Sequence, residues 1–306
     1  MDTIAKAVQK RTEARRVAAE KAGAGPGTGD ASTRADVQPS SSLNPGPDQL
    51  TAEGADAPID PRSIKLLEGK LAENIVVGSD GRDALQLTEE FRYIKRPLIL
   101  NAEGKGPALI DHGNLVMVTS SIAGEGKTFT ALNLALSIAS ERGKTVLLVD
   151  ADVAKPTISV NLGVRERPGL IELLTDESLR VQDVLLRTEI SNLTILPGGG
   201  RHRHATELLA SESMRRLADE ISSRYSDRIV VFDSPPLLLT SEAQVLAALM
   251  GQIVLVVEES RTSHQVLQRA LGRIDKNHIV GLVLNKSHQR IGGGYYGGYG
   301  YYGYGR

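Results

Sequence analysis

From about Ile64 onward, short apolar runs alternate with amphipathic segments. The runs are continuous in Val, Ile and Leu, which is typical of strands buried on both faces of a parallel sheet. The predicted strands are NLVMVTS, TVLLVD, LTILP, RIVVFD, QIVLVVE and IVGLVLN. The predicted helices include LTEEFRYIKRPLILNA, which we expect to end near Pro97, and the segments 127–140, 206–225, 242–249 and 264–275, with a short one near Leu170. This strand–helix repetition predicts a doubly wound, mostly parallel α/β domain with helices on both faces.

The segments outside this domain have a different composition. Residues 1–22 are rich in Ala, Lys, Arg and Glu with only a thin apolar stripe, so they are either a solvated arm or a docking helix for a partner. Residues 23–60 are dominated by Gly, Ala, Pro, Ser and Asp, which predicts a disordered linker. We expect one folded domain over 61–288 and a flexible tail over 289–306.

Composition and charge exclude several classes of protein. The formal net charge of −1 gives no whole-chain basic field that would favour nucleic acid. The absence of cysteine excludes disulfides and thiolate metal sites. No apolar run approaches the ~20 residues of a membrane helix, and the charged N-terminus lacks the apolar core of a signal peptide. We therefore expect a cytoplasmic protein whose membrane association, if any, comes from a partner or a surface helix.

The segment SSIAGEGKT, residues 120–128, lies between a predicted strand and a predicted helix. Gly124 and Gly126 allow successive N–H groups to face inward at a helix N-terminus, which forms a nest for an anion. Lys127 would reach the β- and γ-phosphates, and the Thr128 hydroxyl would hold Mg²⁺. Ser121 departs from the usual P-loop, which has glycine there. The GKT core in this context still predicts a P-loop NTPase.

Three aspartates follow predicted buried strands. Asp150 and Asp152 come after TVLLVD, and Asp233 ends RIVVFD before two prolines. Carboxylates in such places are costly unless a cation or strong donors compensate them. One aspartate alone would be explained by a cap or a turn. Three beside a phosphate loop are better explained by bound Mg·ATP.

The chain ends in GGGYYGGYGYYGYGR, which holds six of its eight tyrosines. They are Tyr295, Tyr296, Tyr299, Tyr301, Tyr302 and Tyr304. Glycine keeps such a segment mobile and its phenols accessible, so the tail is a plausible substrate for phosphoryl transfer. The alternative is a low-complexity segment with stacking aromatics. Several phosphates would repel one another and an acidic rim of the site, so we expect a modified tail to leave the site.

Together these motifs resemble the bacterial tyrosine kinases (BY-kinases), P-loop autokinases of capsule and exopolysaccharide synthesis. The resemblance covers roughly residues 87–306, and EEFRYIKRPLILNA and LPGGGRHRHATELLAS are similar to the cytoplasmic autokinases of exopolysaccharide loci. It implies that SSIAGEGKT is Walker A, VLLVDAD is Walker A′ and VVFDSPP is Walker B. It also implies catalytic roles for Lys127, Asp150 and Asp152, with Asp152 the favoured acceptor of the phenol proton, and phosphorylation of the tail in trans. Many members have arginine two residues after the second aspartate, where this chain has Ala154 followed by Lys155.

The resemblance further defines a nucleotide and metal site. The implied nucleotide-binding residues are Ala123, Gly124, Glu125, Gly126, Lys127, Thr128, Phe129 and Asn285. The implied Mg²⁺ ligands are Thr128, Asp150, Asp152 and Asp233. Asn285 follows the last strand, where related P-loop ATPases contact adenine, although a strand-end turn explains it equally well. His202 and His204 are too few for a metal site, and we expect a basic loop there that contacts phosphates or a partner.

The resemblance also implies partners. Glu89, Arg92 and Lys95 match the family's E-x-x-R-x-x-R pattern, with lysine in place of the last arginine, and in relatives this motif contacts a neighbouring subunit in a ring. The alternative is an exposed helix with internal ion pairs. A separate membrane-anchored polysaccharide chain-length regulator is the implied activator, and a cognate tyrosine phosphatase is expected. We expect the ring to loosen once the tail is phosphorylated.

Two other functions fit parts of the sequence. A partition or division-site ATPase would switch partners on ATP hydrolysis without kinase activity. Such proteins generally place a lysine five residues before the GK lysine, where this chain has Ile122, and carry an amphipathic membrane-targeting tail, a pattern missing from Ile291 onward. A scaffold with a vestigial nucleotide site would not need Lys127, Thr128 and the three aspartates together. The tyrosine autokinase is therefore the favoured function.

Overall fold

The computed structural model describes residues 62–107, 110–224, 228–276 and 278–287, which form one sheet flanked by helices. The strands are β1 (Ser63–Ile64), β2 (Leu115–Ser120), β3 (Thr145–Asp150), β4 (Leu186–Thr188), β5 (Leu193–Leu196), β6 (Arg228–Asp233), β7 (Gln252–Glu258) and β8 (Ile279–Asn285). The helices are α1 (Gly69–Ala72), α2 (Arg82–Ala102), α3 (Lys127–Ala139), α4 (Thr157–Asn161), α5 (Leu170–Thr175), α6 (Val181–Val184), α7 (Ala205–Leu209), α8 (Glu212–Arg224), α9 (Glu242–Leu249) and α10 (His264–Leu271). None of these described helices has the length and apolar character that crossing a bilayer requires. The predicted arm, linker and tyrosine tail lie outside the described residues.

The strand order is β1-β4-β5-β3-β6-β2-β7-β8, and every neighbouring pair is parallel except β4 and β5, which are antiparallel. The predicted doubly wound, mostly parallel fold is confirmed. The order brings β3, β6 and β2 side by side in the middle of the sheet, and Asp150 is paired in register with Asp233. Ligands of such folds bind beyond the carboxyl ends of the strands. Both aspartates lie at that edge.

Alternate residues of the central strands enter two separate cores. In β2, Val116 and Val118 pack with α2 and α3 on one face of the sheet. Leu115 and Met117 pack with the helices of the other face, among them α5, α8 and α9. Each fully buried side chain of this kind contributes about 1.5–3 kcal/mol, so burial on both faces explains why the central strands are apolar on both faces. The edge strand β8 is different, because its Leu282 and Leu284 are exposed.

The prediction that the first helix ends near Pro97 was wrong, because α2 continues to Ala102 with Pro97 inside it. Proline removes one backbone donor, but tertiary contacts hold the turns that follow it. The Gln252 amide donates to the Leu98 carbonyl at 3.0 Å, and the Asn101 amide donates to Gln252 at 2.8 Å. A buried amide pair thus outweighs a local helix-breaking signal.

Two other helices differ from their predicted bounds. The predicted helix 206–225 is divided into α7 and α8, because Ser211 interrupts it and its hydroxyl accepts a hydrogen bond from the Met214 amide at 3.3 Å. The last helix stops at Leu271, where Gly272 is the C-cap. Three short helices, α1, α4 and α6, and the short strands β1 and β4 were not predicted, since elements of two to five residues carry too little periodicity to be seen.

Candidate active site

The predicted phosphate loop connects β2 to α3, and its backbone has the conformation that a nest requires. Gly124 and Gly126 have φ angles of 91° and 99°, in the left-handed region that favours glycine. A Cβ at Gly126 would lie 2.0 Å from Nδ2 of Asn285, so the site also has no space for a side chain. Helix α3 begins at Lys127, immediately after Gly126 as N-cap. The N-terminus of α3 therefore faces the cleft.

Glu125 anchors this loop from the inside. Its side chain is fully buried, and its Oε2 accepts a hydrogen bond from the Ile122 amide at 2.7 Å. The hydroxyl of Thr262, in the loop between β7 and α10, donates to the other carboxylate oxygen. Both oxygens are thus satisfied by protein donors, which a buried carboxylate needs. Thr262 was not identified from the sequence, since nothing near it marks it as a partner of the loop.

The end of β8 holds the loop from the outside. The Asn285 amide donates to the Glu125 carbonyl at 2.8 Å, and Nζ of Lys286 donates to the Gly124 carbonyl at 2.7 Å. The structure places the Asn285 amide against the backbone of the phosphate loop, which it supports. A contact between Asn285 and adenine stays a prediction.

Lys127 faces the acidic strand ends across the cleft. Its Nζ lies 2.8 Å from Oδ2 of Asp152 and 3.5 Å from Oδ1 of Asp233. Burial lowers the pKa of Lys127, but the carboxylates of Asp233 and Asp152 outweigh it and the net effect raises the pKa. The predicted lysine and aspartates are thus brought together, with this one ammonium group between them.

Asp150 is fully buried, and only one of its oxygens is bound by the protein. Its Oδ2 accepts hydrogen bonds from the Ser159 amide at 2.8 Å and the Ser159 hydroxyl at 2.6 Å. Oδ1 has no hydrogen-bond partner among the described residues. Burial and the nearby Asp233 carboxylate raise the pKa of Asp150 to about 7. Ser159 lies in α4, a helix too short to predict from sequence.

Asp233 is less satisfied still. It is fully buried, and neither of its carboxylate oxygens accepts a hydrogen bond of normal geometry from the described residues. Burial raises the pKa of Asp233 despite the attraction of Lys127. Buried carboxylate oxygens without a hydrogen-bond donor cost stability unless cations compensate them, and among the described residues Asp233 has only Lys127, at 3.5 Å, for this. This edge of the sheet is therefore prepared for further positive charge.

The donor set fits Mg²⁺ bound together with a triphosphate. Magnesium usually takes one or two carboxylates and completes its shell with phosphate oxygens and water. The described residues contain no group of three or more carboxylate or imidazole side chains arranged as a metal cage, so the aspartates alone do not form a closed site. Thr128, whose Oγ1 lies 3.4 Å from Nζ of Lys127, and the free oxygens of Asp233 and Asp150 remain the candidate protein ligands.

The cleft between these groups has a volume of about 360 Å³. Its lining includes six of the predicted nucleotide-binding residues: Ala123, Gly124, Gly126, Lys127, Thr128 and Phe129. Asp152 and the prolines of the DSPP segment line its other side. Phe129 borders the cleft, but its ring centroid lies 6.1 Å from that of Phe91 on α2, so the ring belongs mainly to the packing of α2 on α3.

The predicted subunit-contact residues do not share one surface. Glu89 and Arg92 are exposed on α2 and paired with each other. Lys95 is buried, and its Nζ donates to the Ser137 carbonyl and pairs with Glu141, both at 2.7 Å. Its side chain therefore fastens α2 to the C-terminal end of α3 in the same subunit, and the expectation that Lys95 contacts a neighbour needs correction.

Comparison with known proteins agrees with this site. The sequence model of an AAA domain family matches residues 114–280, which contain the phosphate loop and all three aspartates. The chain is 36% identical to the tyrosine-protein kinase YwqD of Bacillus subtilis over 186 residues, 60% of this chain and 77% of YwqD. It is 28% identical to the tyrosine-protein kinase Wzc of Salmonella typhi over 248 residues, 79% of this chain but only 32% of Wzc. The match with Wzc thus covers about a third of that protein.

Solved structures show the same relationship. The kinase domain of VpsO superposes with a TM-score of 0.52 at 30% identity, over 65% of this chain and 98% of the VpsO domain. The tyrosine kinase domain of BceF superposes with a TM-score of 0.54 at 26% identity, over 64% of this chain and 76% of that domain. The phosphate loop, the acidic strand ends and these relatives lead to one conclusion: the chain belongs to the bacterial tyrosine kinases, a family of P-loop protein-tyrosine kinases.

Proposed function

We propose that this kinase transfers the γ-phosphoryl group of Mg·ATP to its own C-terminal tyrosines. The observation that carries the proposal is the contact between Lys127 and Asp152, 2.8 Å apart at the mouth of the phosphate loop. It joins the residue expected to hold phosphates to the residue expected to accept a proton. The free carboxylate oxygens of Asp150 and Asp233 beside this pair supply the remaining negative charge that a metal-bound nucleotide needs.

In this proposal the phosphate loop and Lys127 bind the triphosphate. The N–H groups at the start of α3 face the cleft, and Lys127 adds a full positive charge. A triphosphate in the loop competes with Asp152 for the ammonium group, so binding of nucleotide moves Lys127 towards the phosphates. Mg²⁺, when bound, neutralises charge on those phosphates. Thr128 and Asp233 are the residues that would hold it, with Asp150 beside them.

Release from Lys127 leaves Asp152 able to act as the general base. A phenol has a pKa near 10, so its proton must be removed during transfer at neutral pH. The phenolic oxygen forms a bond to the γ-phosphorus as the bond from phosphorus to the β–γ bridging oxygen breaks. The phenol proton passes to Asp152, and ADP leaves with the bridging oxygen. The protein mainly positions these groups, since phosphoryl transfer needs little covalent help.

The acceptors in the proposal are the tail tyrosines of a neighbouring copy. They are Tyr295, Tyr296, Tyr299, Tyr301, Tyr302 and Tyr304, which lie outside the described residues. Glycine separates most of them, so several can enter one cleft in turn. Glu89 and Arg92, both exposed, remain candidates for the contact between copies in a ring. The modification would control exopolysaccharide synthesis.

Two partners complete the proposal. A membrane-anchored polysaccharide chain-length regulator would activate the kinase and recruit it from the cytoplasm to the inner face of the plasma membrane. A tyrosine phosphatase would reverse the modification. Both follow from the family resemblance, and both can be tested by adding the purified partner to the kinase assay.

A mixing experiment tests the transfer between copies. The acceptor is the full chain with Lys127→Met and an intact tail, and the donor is the full chain with all six tail tyrosines changed to phenylalanine. With Mg·ATP we expect phosphotyrosine on the acceptor only when the donor is present. The control acceptor carries both Lys127→Met and the six phenylalanines and should stay unmodified. An unmodified acceptor, under conditions in which the wild-type chain modifies itself, would contradict transfer in trans.

A further inference from the structure

A second groove adjoins the catalytic cleft. It has a volume of about 690 Å³ and lies between the segment that follows β3, including α4, and the loop that precedes α7. The two depressions share Ala154, Lys155 and Thr157 in their walls. A peptide that places one residue in the cleft can therefore place the residues beside it in sequence in this groove.

The groove is strongly basic. Lys155, Arg165, Arg201 and Arg203 line it, and none of the aspartates and glutamates that the structure describes does. None of these four cationic side chains forms an ion pair within the part of the chain that the structure describes. Several other exposed arginines of the domain are neutralised locally, as Arg215 is by Glu212 and Arg224 is by Glu220. Four unneutralised cations around one concave surface predict an anionic ligand.

The remaining walls favour a ligand that also has an apolar part. Val153, Pro156 and Val160 contribute aliphatic surface, and Val160 is 56% exposed. A phosphorylated phenol matches both features, because its ring packs on aliphatic side chains while its ~1.5–2 negative charges pair with arginines. Two alternative ligands match less well. Inorganic phosphate has no ring to pack on the aliphatic side chains, and an aspartate or glutamate side chain carries only one negative charge.

The product of the proposed reaction is such a ligand. Resting on the proposed function, we propose that this groove binds a phosphotyrosine already formed on the tail while a neighbouring tyrosine of the same tail enters the cleft. Consecutive tail tyrosines in Tyr295–Tyr304 are one to three residues apart, and next-nearest ones are three to five residues apart. At about 3.5 Å per extended residue, a separation of two to five residues spans roughly 7–17 Å. That is the scale of a step from the cleft into the adjoining groove.

The electrostatics of the two depressions give the step a direction. A newly formed phosphotyrosine in the cleft is repelled by Asp152, which lines the cleft, whereas the basic groove beyond Lys155 attracts it. The rim on this side is basic, contrary to the acidic rim expected from the sequence. A modified tail therefore stays attached through the groove, and its first phosphorylation promotes the later ones.

A binding measurement without ATP tests the groove independently of catalysis. The probe is a fluorescent peptide with the sequence of residues 297–306, synthesised either unmodified or with one phosphate on the residue equivalent to Tyr304, and it is titrated with the full chain. We expect the phosphopeptide to bind at least about tenfold more tightly, since charge-assisted hydrogen bonds to a phosphate contribute about 1.5–3 kcal/mol. The double substitution Arg201→Gln and Arg203→Gln should remove most of that preference.

A matched control removes the same charge elsewhere. Arg215→Gln with Arg216→Gln, on the exposed face of α8, should leave the preference for phosphopeptide unchanged. Equal binding of both peptides, or full preference in the Arg201/Arg203 variant, would overturn the proposal. So would inorganic phosphate that displaces the phosphopeptide at equal concentration, because the groove would then be a general anion site. Binding of anionic phosphatidylglycerol vesicles without binding of phosphopeptide would assign the groove to a membrane instead.

The course of autophosphorylation supplies a second readout. Intact-mass spectra during the reaction should show wild-type chains passing quickly from one phosphate to several, and singly modified chains accumulating in the Arg201/Arg203 variant. The first phosphate should be added at a similar rate in both. A slower first addition together with weaker ADP binding would place this loop at the nucleotide and contradict the assignment. If no tail is modified at all, the proposed function fails, while the peptide titration still decides the groove.

Discussion

The two halves of the catalytic cleft are stabilised in different ways. The phosphate loop is satisfied by the protein: Glu125 is held by Ile122 and Thr262, and the loop carbonyls accept hydrogen bonds from Asn285 and Lys286. The facing strand ends are not, because three carboxylate oxygens of Asp150 and Asp233 are buried without a hydrogen-bond partner among the described residues.

Folding alone therefore forms the phosphate loop, whereas the acidic strand ends need positive charge from a bound ligand. The anion-binding loop is formed before any anion arrives, so little ordering cost remains at binding. The acidic side retains a deficit of positive charge, with Lys127 as its temporary counter-ion. Nucleotide and metal together remove that deficit. The buried carboxylate oxygens without hydrogen-bond partners reduce the stability of the domain, which substitutions can measure.

The largest combined effect, on catalysis and on nucleotide affinity together, should come from Lys127→Met. The change removes the charge for phosphates and leaves Asp152 and Asp233 without their cation. We expect kinase activity to fall by about 100-fold or more and ADP affinity to fall clearly, since one preorganised charge commonly contributes about 10²–10³ to such a rate. Steady-state kinetics and calorimetric titration of Mg·ADP measure both. Lys144→Met, which removes a lysine paired with Glu103 outside the site, is the control, and equal activities of the two variants would refute the role of Lys127.

Asp152→Asn should separate transfer from binding. The substitution keeps the size of the side chain but removes its capacity to take the phenol proton, so kcat should fall by about 10²–10⁴. Affinity for Mg·ADP should change only a few-fold, because the phosphate loop is intact. Single-turnover phosphorylation and calorimetry provide the two values. A variant that retains kcat and loses nucleotide instead would make Asp152 a binding residue and remove it as the base.

Asp150→Asn should stabilise the domain in the absence of nucleotide. The folded-state pKa of Asp150 is about 7 against an ordinary 3.8, so its contribution to stability is fully present below about pH 3.8 and is lost as pH rises to about 7. The substituted side chain does not ionise, so this loss of stability disappears. Its amide oxygen can still accept the hydrogen bonds from Ser159. At pH 8 we expect a gain of roughly 2–4 kcal/mol, or several degrees in melting temperature.

The pH dependence identifies the cause of that gain. At pH 5 the difference between Asp150→Asn and wild type should be smaller, because wild-type Asp150 is then largely protonated in the folded protein. Asp176→Asn, at an exposed turn where hydrogen bonds from Ser178 lower the pKa of the aspartate, should give no gain at pH 8. A gain of equal size at both pH values would contradict an electrostatic origin.

The smallest effect should come from Thr262→Val, which tests the hydrogen bonds that hold the phosphate loop. The variant removes the hydroxyl that donates to the buried Glu125 carboxylate and so loosens the phosphate loop. We expect KM for ATP to rise by less than about tenfold with kcat nearly unchanged, in line with one hydrogen bond to a charged group. Thr262→Ser retains the donor and should behave like wild type. If valine and serine have the same effect, the hydroxyl is not what holds the loop.

The sequence predicted the parts of this molecule that follow from strong local patterns. Continuous apolar runs indicate the strands of a parallel sheet. The glycine-rich GKT motif identifies the phosphate loop and shows that it lies between a strand and a helix, here β2 and α3. Asp150, Asp152 and Asp233 could be found because each follows such a run. Their convergence on Lys127 follows from the strand order of a doubly wound sheet.

What the sequence missed depends on tertiary contacts. Ser159 and Thr262 hold Asp150 and Glu125 across gaps of 9 and 137 residues, and nothing local marks either of them. Lys95 matches a surface motif but fills a buried position between α2 and α3, because Glu141 and the Ser137 carbonyl satisfy its charge there. Pro97 signals a helix end that Gln252 overrides. The basic groove combines Lys155 with Arg201, which only the fold brings together.

The intact mass of the wild-type chain after incubation with ATP, with Mg²⁺ or with EDTA, tests the central claim most directly. We expect successive additions of one phosphoryl group that depend on the metal and map to the tyrosines of residues 295–304. A chain that hydrolyses ATP without acquiring phosphotyrosine, or that is phosphorylated equally well in EDTA, would contradict it.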